Sequence, residues 1–69
     1  MAATITVSIS KKLKALRVKH QLSQEKLARV LGISQPAYNK IEMGITSVSV
    51  EYLLKLTEFY GLSIYYFLE

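Results

Sequence analysis

Between Gln35 and Lys40 the chain concentrates side chains able to recognise another molecule. If Tyr38 and Ile41 face inward on a short helix, a turn of about 100° per residue puts Pro36 and Lys40 on the opposite side, flanked by Ala37 and Asn39. Lys40 can reach a guanine edge or a phosphate, and Pro36 and Ala37 can pack on a thymine methyl. Gln35, at the start of the same stretch, carries a donor and an acceptor on one amide, the pattern that complements adenine N7 and N6. Catalysis has no comparable support. His20 is the sole histidine, there is no cysteine, and the five carboxylates form no acid/base pair along the chain. No metal or cofactor is expected, and the chain reads as a binding protein, not an enzyme.

Such a stretch needs a scaffold, and the residues before it supply one. Ser23 and Ser34 each stand where a hydroxyl can accept a backbone hydrogen bond and open a helix. Gly32 lies where the first of the two must stop in a left-handed conformation, which costs glycine little. The pattern predicts helices over about 24–31 and 35–43, each too short to be stable in water unless it packs on its neighbours. Two short helices joined by a tight turn are the helix-turn-helix unit, whose second helix enters the DNA major groove. Leu27, Ala28 and Leu31 form the inner side of the first, and the small Ala28 lets the pair approach closely.

The remaining elements follow from the same signals. Ile9, Leu13 and Leu16 make a stripe at spacings of four and three, predicting a helix over about 9–20 capped by Ser8 or Ser10. The alternation of residues 1–7 favours a short extended N-terminal arm. Ser49 caps a helix over about 50–60, Gly61 ends it, and a final turn over 64–68 holds Ile64 and Phe67. His20 falls at the polar end of the first helix. The expectation is an all-α, compact five-helix domain over 8–69, preceded by the arm.

Composition sets the outer bounds. Sixty-nine residues, about half of them hydrophobic, suffice for one domain with a small core. Without cysteine there is no disulfide framework and no thiolate metal site. No apolar run is long enough for a membrane span, and the alternating start is not a secretory signal. Charge is uneven. Lys11 to Lys40 holds eight basic residues against Glu25 alone, a balance of +7, whereas Ile41 to Glu69 balances to −3. One face is therefore suited to a polyanion.

Taken together, Leu16-Arg17, Leu22 to Ala28, Leu31 to Gln35, Ile41 to Gly44 and Leu53 to Leu56 resemble the helix-turn-helix domain of phage repressors, Cro proteins and small bacterial regulators, the XRE family. The resemblance runs from about Ser8 to Leu68. It implies a lambda-repressor-like fold, a cytoplasmic bacterial or phage regulator, and double-stranded DNA as partner. It also implies an ion pair between Arg17 and Glu42, base contacts from Gln35, Pro36, Ala37 and Lys40, and phosphate contacts from Ser23, Gln24, Asn39, Thr46 and Ser47. Free N–H groups at the start of the 24–31 helix would assist at the phosphate.

The chain departs from that family after Gly44. Ile45 to Val48 contains no lysine or arginine, and Val48 stands where proline is often found. Fewer than about four phosphate charges neutralised per monomer are expected, each contributing roughly 0.9 to the log–log salt slope. Weak binding by one chain favours a homodimer, and Leu54, Phe59, Tyr65 and Tyr66 are the expected apolar interface. The competing expectation is a protein-interaction module, such as an antitoxin holding a toxin or another regulator, in which Gln35 and Lys40 would be replaceable.

Overall fold

A computed structural model describes the backbone of residues 2–68 and the side chains of residues 8–68. The described residues form five helices: α1 (Ala2–Lys19), α2 (Gln24–Leu31), α3 (Gln35–Glu42), α4 (Val50–Tyr60) and α5 (Tyr65–Leu68). The described residues contain no strand. The expected extended arm is therefore corrected over 2–7, where the backbone continues α1. Ile5, Ile9, Leu13 and Leu16 recur every three or four residues while Ala3, Ile5 and Val7 alternate, so over this short run both periods find support. Met1 and Glu69, the outer ends of the expected arm and domain, lie outside the described residues. Ser8 and Ser10 consequently sit inside α1 rather than capping it, and Ser10 is buried.

Serine hydroxyls open the next three helices. Ser23 Oγ accepts from Lys26 N, Ser34 Oγ from Ala37 N and Ser49 Oγ from Tyr52 N, each at 3.0–3.2 Å. Each satisfies a donor that has no partner within its helix. Gly32 and Gly61 close α2 and α4 at φ 71° and 70°, the left-handed geometry that a Cβ disfavours. α1 ends without a glycine: Gln21 takes φ 56°, and Leu22 N donates back to Arg17 O at 3.0 Å.

The core joins all five helices. Leu13, Leu27, Tyr38, Ile41, Leu56 and Phe67 are its most deeply buried side chains, and Ile9, Leu16, Ala28, Leu31 and Leu53 complete it. α3 packs on α2 and α1, α4 on α2, and α5 on α1. Ala28, 2 % exposed, sits where α2 meets the rest of the core. Ala28→Leu is expected to destabilise the domain by about 1–3 kcal/mol through overpacking, read as a lowered urea midpoint at unchanged slope. A midpoint equal to that of the parent chain would show that α2 and α3 are not in close approach there.

Candidate nucleic-acid interface

The inner side of α3 fixes what its outer side can present. Tyr38 and Ile41 are buried beneath the helix, while Gln35, Pro36 and Lys40 are exposed and Ala37 and Asn39 half-buried. Pro36 falls in the first turn, where its missing N–H costs no helical hydrogen bond. The five side chains expected to recognise a ligand therefore stand on one helix, at or beside its outer edge. Pro36, Ala37 and Lys40 also border a hollow of about 410 Å³ that reaches Thr46 and Tyr52 across the α3–α4 loop. Thr46 and Ser47 are exposed in that loop. Tyr52 had no signal in the sequence, because only the turn of the loop brings α4 to this edge.

Behind α3 lies an anchored ionic pair. Arg17 Nε donates to Glu42 Oε2 at 2.6 Å and Nη2 to Oε1 at 3.1 Å, while Nη1 caps the Leu22 carbonyl at 2.9 Å. The Glu42 side chain is 2 % exposed and the Arg17 side chain 15 %. Burial alone would raise the Glu42 carboxyl, but the Arg17 guanidinium, aided by the Gln24 amide and the nearby Tyr38 hydroxyl, holds it below the usual glutamate range. The hydrogen bond to Glu42 likewise raises Arg17. Burial, reinforced by the neighbouring carboxylate, pushes the Tyr38 hydroxyl up. Among the described residues neither the Tyr38 nor the Tyr60 hydroxyl, both buried, has a hydrogen-bond partner of ordinary geometry.

Side-chain amides extend this pair to the surface. Gln24 Nε2 donates to Asn39 Oδ1 at 2.9 Å and to Glu42 Oε1 at 3.2 Å, and Gln35 Nε2 donates to Gln24 Oε1 at 2.7 Å. By sequence, Gln24 and Asn39 are expected at phosphates, Gln35 at a base and Glu42 in an ion pair. The fold puts all four into one chain of hydrogen bonds, because α2 starts beside α3 and projects Gln24 across it. Ser23 and the first N–H groups of α2 lie at the same edge.

The expected apolar patch is divided. Leu54 and Phe59 are five residues apart, about 140° around the helix axis, and flank the buried stripe of Leu53, Leu56 and Thr57 on opposite sides. Phe59 faces α2, with Lys26 Nζ 5.9 Å from its ring centre and Val30 across a shallow hollow. Tyr65 and Tyr66 belong to α5, where Lys12 Nζ lies 5.7 Å from the Tyr66 ring centre and donates to the Tyr66 carbonyl at 2.9 Å. His20 packs on Tyr60, ring centres 5.2 Å apart. Among the described residues no helix is long and apolar enough to cross a membrane.

Comparison with known proteins adds kinship to this geometry. The helix-turn-helix family matches residues 13–67. The chain is 38 % identical over 55 residues to the cryptic phage CTXphi transcriptional repressor RstR of Vibrio cholerae, covering 80 % of this chain and 50 % of that one. It is 40 % identical over 53 residues to the uncharacterized HTH-type transcriptional regulator MJ0272 of Methanocaldococcus jannaschii, covering 77 % and 80 %. It is 44 % identical over 43 residues to antitoxin PezA of Streptococcus pneumoniae, covering 62 % and 27 %. The chain thus spans half of the Vibrio repressor and about a quarter of the antitoxin. No solved structure matches it.

Proposed function

The chain belongs to the helix-turn-helix family, and from that premise we propose that it binds double-stranded DNA sequence-specifically as a transcriptional regulator, acting as a repressor, with α3 in the major groove. The observation that carries this reading is the exposed edge from Gln35 to Lys40, backed by Tyr38 and Ile41 locked in the core. Gln35, Pro36, Ala37 and Lys40 meet base edges. Phosphates meet the N–H groups and Ser23 hydroxyl at the start of α2, together with Thr46 and Ser47. The Ser23 oxygen accepts from Lys26 N, which leaves its hydroxyl hydrogen to donate. The repressor name of the Vibrio relative supports the sign of regulation. A cytoplasmic location accords with access to DNA.

Selection from random duplexes tests this. The parent chain is expected to enrich a near-palindrome, and Gln35→Ala to lose one base preference per half-site, worth about 1–3 kcal/mol. Failure to enrich any sequence at low salt rejects the reading.

Two copies would place their reading helices about 34 Å apart. Tyr65, 70 % exposed, and Tyr66, 39 % exposed, supply apolar surface at α5, with Leu54 as a further candidate; Phe59, on the α2 side of α4, has the weakest claim. Tyr66→Lys is expected to convert the dimer to monomer in sedimentation, and an unchanged mass removes this interface. The likeness to an antitoxin supports a second reading, in which this surface holds a different protein. In that case Gln35→Ala leaves function intact while Tyr66→Lys abolishes it.

A further inference from the structure

α3 and α4 both pack on α2, and the loop from Met43 to Ser49 bridges them. Ile45 N and Thr46 N donate to the Lys40 carbonyl at 3.0 and 3.3 Å, folding that loop back over the end of α3. Ser49 Oγ holds the first turn of α4 through Tyr52 N at 3.1 Å. Between these fixed edges lies the hollow of about 410 Å³, a volume suited to a small organic molecule. Ile33, Ala37, Ile41 and the Tyr52 ring give it apolar walls. The polar groups that border it, on Lys40, Ser34, Thr46 and Tyr52, can all donate hydrogen bonds. Ser34 Oγ accepts from Ala37 N, which leaves its hydrogen to give.

Lys40 is the one charged residue on this lining, and among the described residues it has no carboxylate partner. Glu42 of α3 is paired with Arg17, and Glu51 of α4 with Lys55. One cation among donors calls for a single negative charge. Apolar walls call for a ring, since a fully hydrated ion gains nothing from leaving water for them. We propose that the hollow binds a small organic anion, a carboxylate on an apolar ring, and that its occupancy keeps this edge of α3 off DNA. The carboxylate meets Lys40 and the hydroxyls while the ring lies between Ile41 and Tyr52. Binding of the anion needs only the hollow; its effect on DNA rests on α3 as the reading helix.

The test takes the isotope-labelled full chain and three probes at equal ionic strength: benzoate, its neutral isostere benzamide, and acetate. Benzoate is expected to shift the Ala37, Thr46 and Tyr52 amide signals saturably, with a dissociation constant on the order of 1–10 mM. Benzamide should bind about three-fold or more weaker, the scale of an exposed charge pair, and acetate should not saturate. Lys40→Gln, at an exposed position, is expected to bring benzoate down to the level of benzamide, and Tyr52→Ala to weaken both rings alike. Benzoate at its dissociation constant should lower affinity for the selected duplex about two-fold, as competition requires. Shifts that do not saturate, or benzamide binding as tightly as benzoate, overturn the site and leave α3 as reading helix. Saturable binding that leaves duplex affinity unmoved overturns the exclusion. A parent chain that selects no duplex overturns the reading helix and the exclusion together.

Discussion

Arg17→Ala is expected to lose about 3–5 kcal/mol of folding stability at neutral pH, much of what a domain of this length has. The loss comes from the Glu42 side chain, 2 % exposed, left ionised without its guanidinium partner. Glu42→Gln is expected to cost less. An amide there still accepts one hydrogen bond, and the Arg17 side chain, 15 % exposed, can reach water.

The pH dependence has a definite sign. In the parent chain the Glu42 carboxyl is held below its ordinary range. Its contribution is therefore present above the pKa of the unfolded chain and is lost as pH falls through the lower folded value. In Arg17→Ala, burial acts unopposed by the guanidinium and raises the folded value above the unfolded one. The penalty is then full above that raised value and disappears below the unfolded one. Urea unfolding at pH 7 and pH 4 should show the gap between parent and variant narrowing on acidification. A gap that is constant with pH, or equal losses for Arg17→Ala and Glu42→Gln, would show that the pair stabilises through packing alone.

How far the sequence reveals this protein depends on whether a feature is local. The boundaries of α2 and the bounds of α4 follow from Ser23, Gly32, Ser49 and Gly61, because a cap is a contact within three or four residues. α3 begins at Gln35 as Ser34 and Pro36 require, and ends at Glu42, one residue short of the expectation. The end of α1 near His20 follows from its stripe alone; no glycine marks it, since Gln21 takes the left-handed turn. The start of α1 is not legible, because alternation and helical spacing both find support over so few residues. The Arg17–Glu42 pair was legible through family resemblance and the scarcity of acids near the turn.

The link from Glu42 through Gln24 to Gln35 was not legible. It depends on where α2 begins relative to α3, a tertiary placement that no spacing encodes. The split between Leu54 and Phe59 could have been found by counting 100° per residue along α4. Tyr60 packed at a tilt on His20 is a contact between the end of α4 and the residue after α1, again beyond local pattern.

Phe67→Ala should be the most damaging truncation near the C-terminal end, at about 3–5 kcal/mol. α5 has four residues and one buried side chain, Phe67, 1 % exposed. A helix this short holds its place by packing, since one turn has little cooperativity of its own. It is also tied to α1 through Lys12, whose ammonium donates to the Tyr66 carbonyl and lies 5.7 Å from the Tyr66 ring centre. Removing the ring leaves a void against α1 and withdraws the anchor that holds Tyr65 and Tyr66 outward. Two outcomes should therefore move together in Phe67→Ala, a lower unfolding midpoint and loss of the proposed dimer. Tyr66→Lys should lose the dimer while unfolding, measured at concentrations where both chains are monomeric, stays near that of the parent. If Phe67→Ala unfolds within about 1 kcal/mol of the parent, α5 is not part of the cooperative core; if its dimer persists, the association surface lies elsewhere than α5.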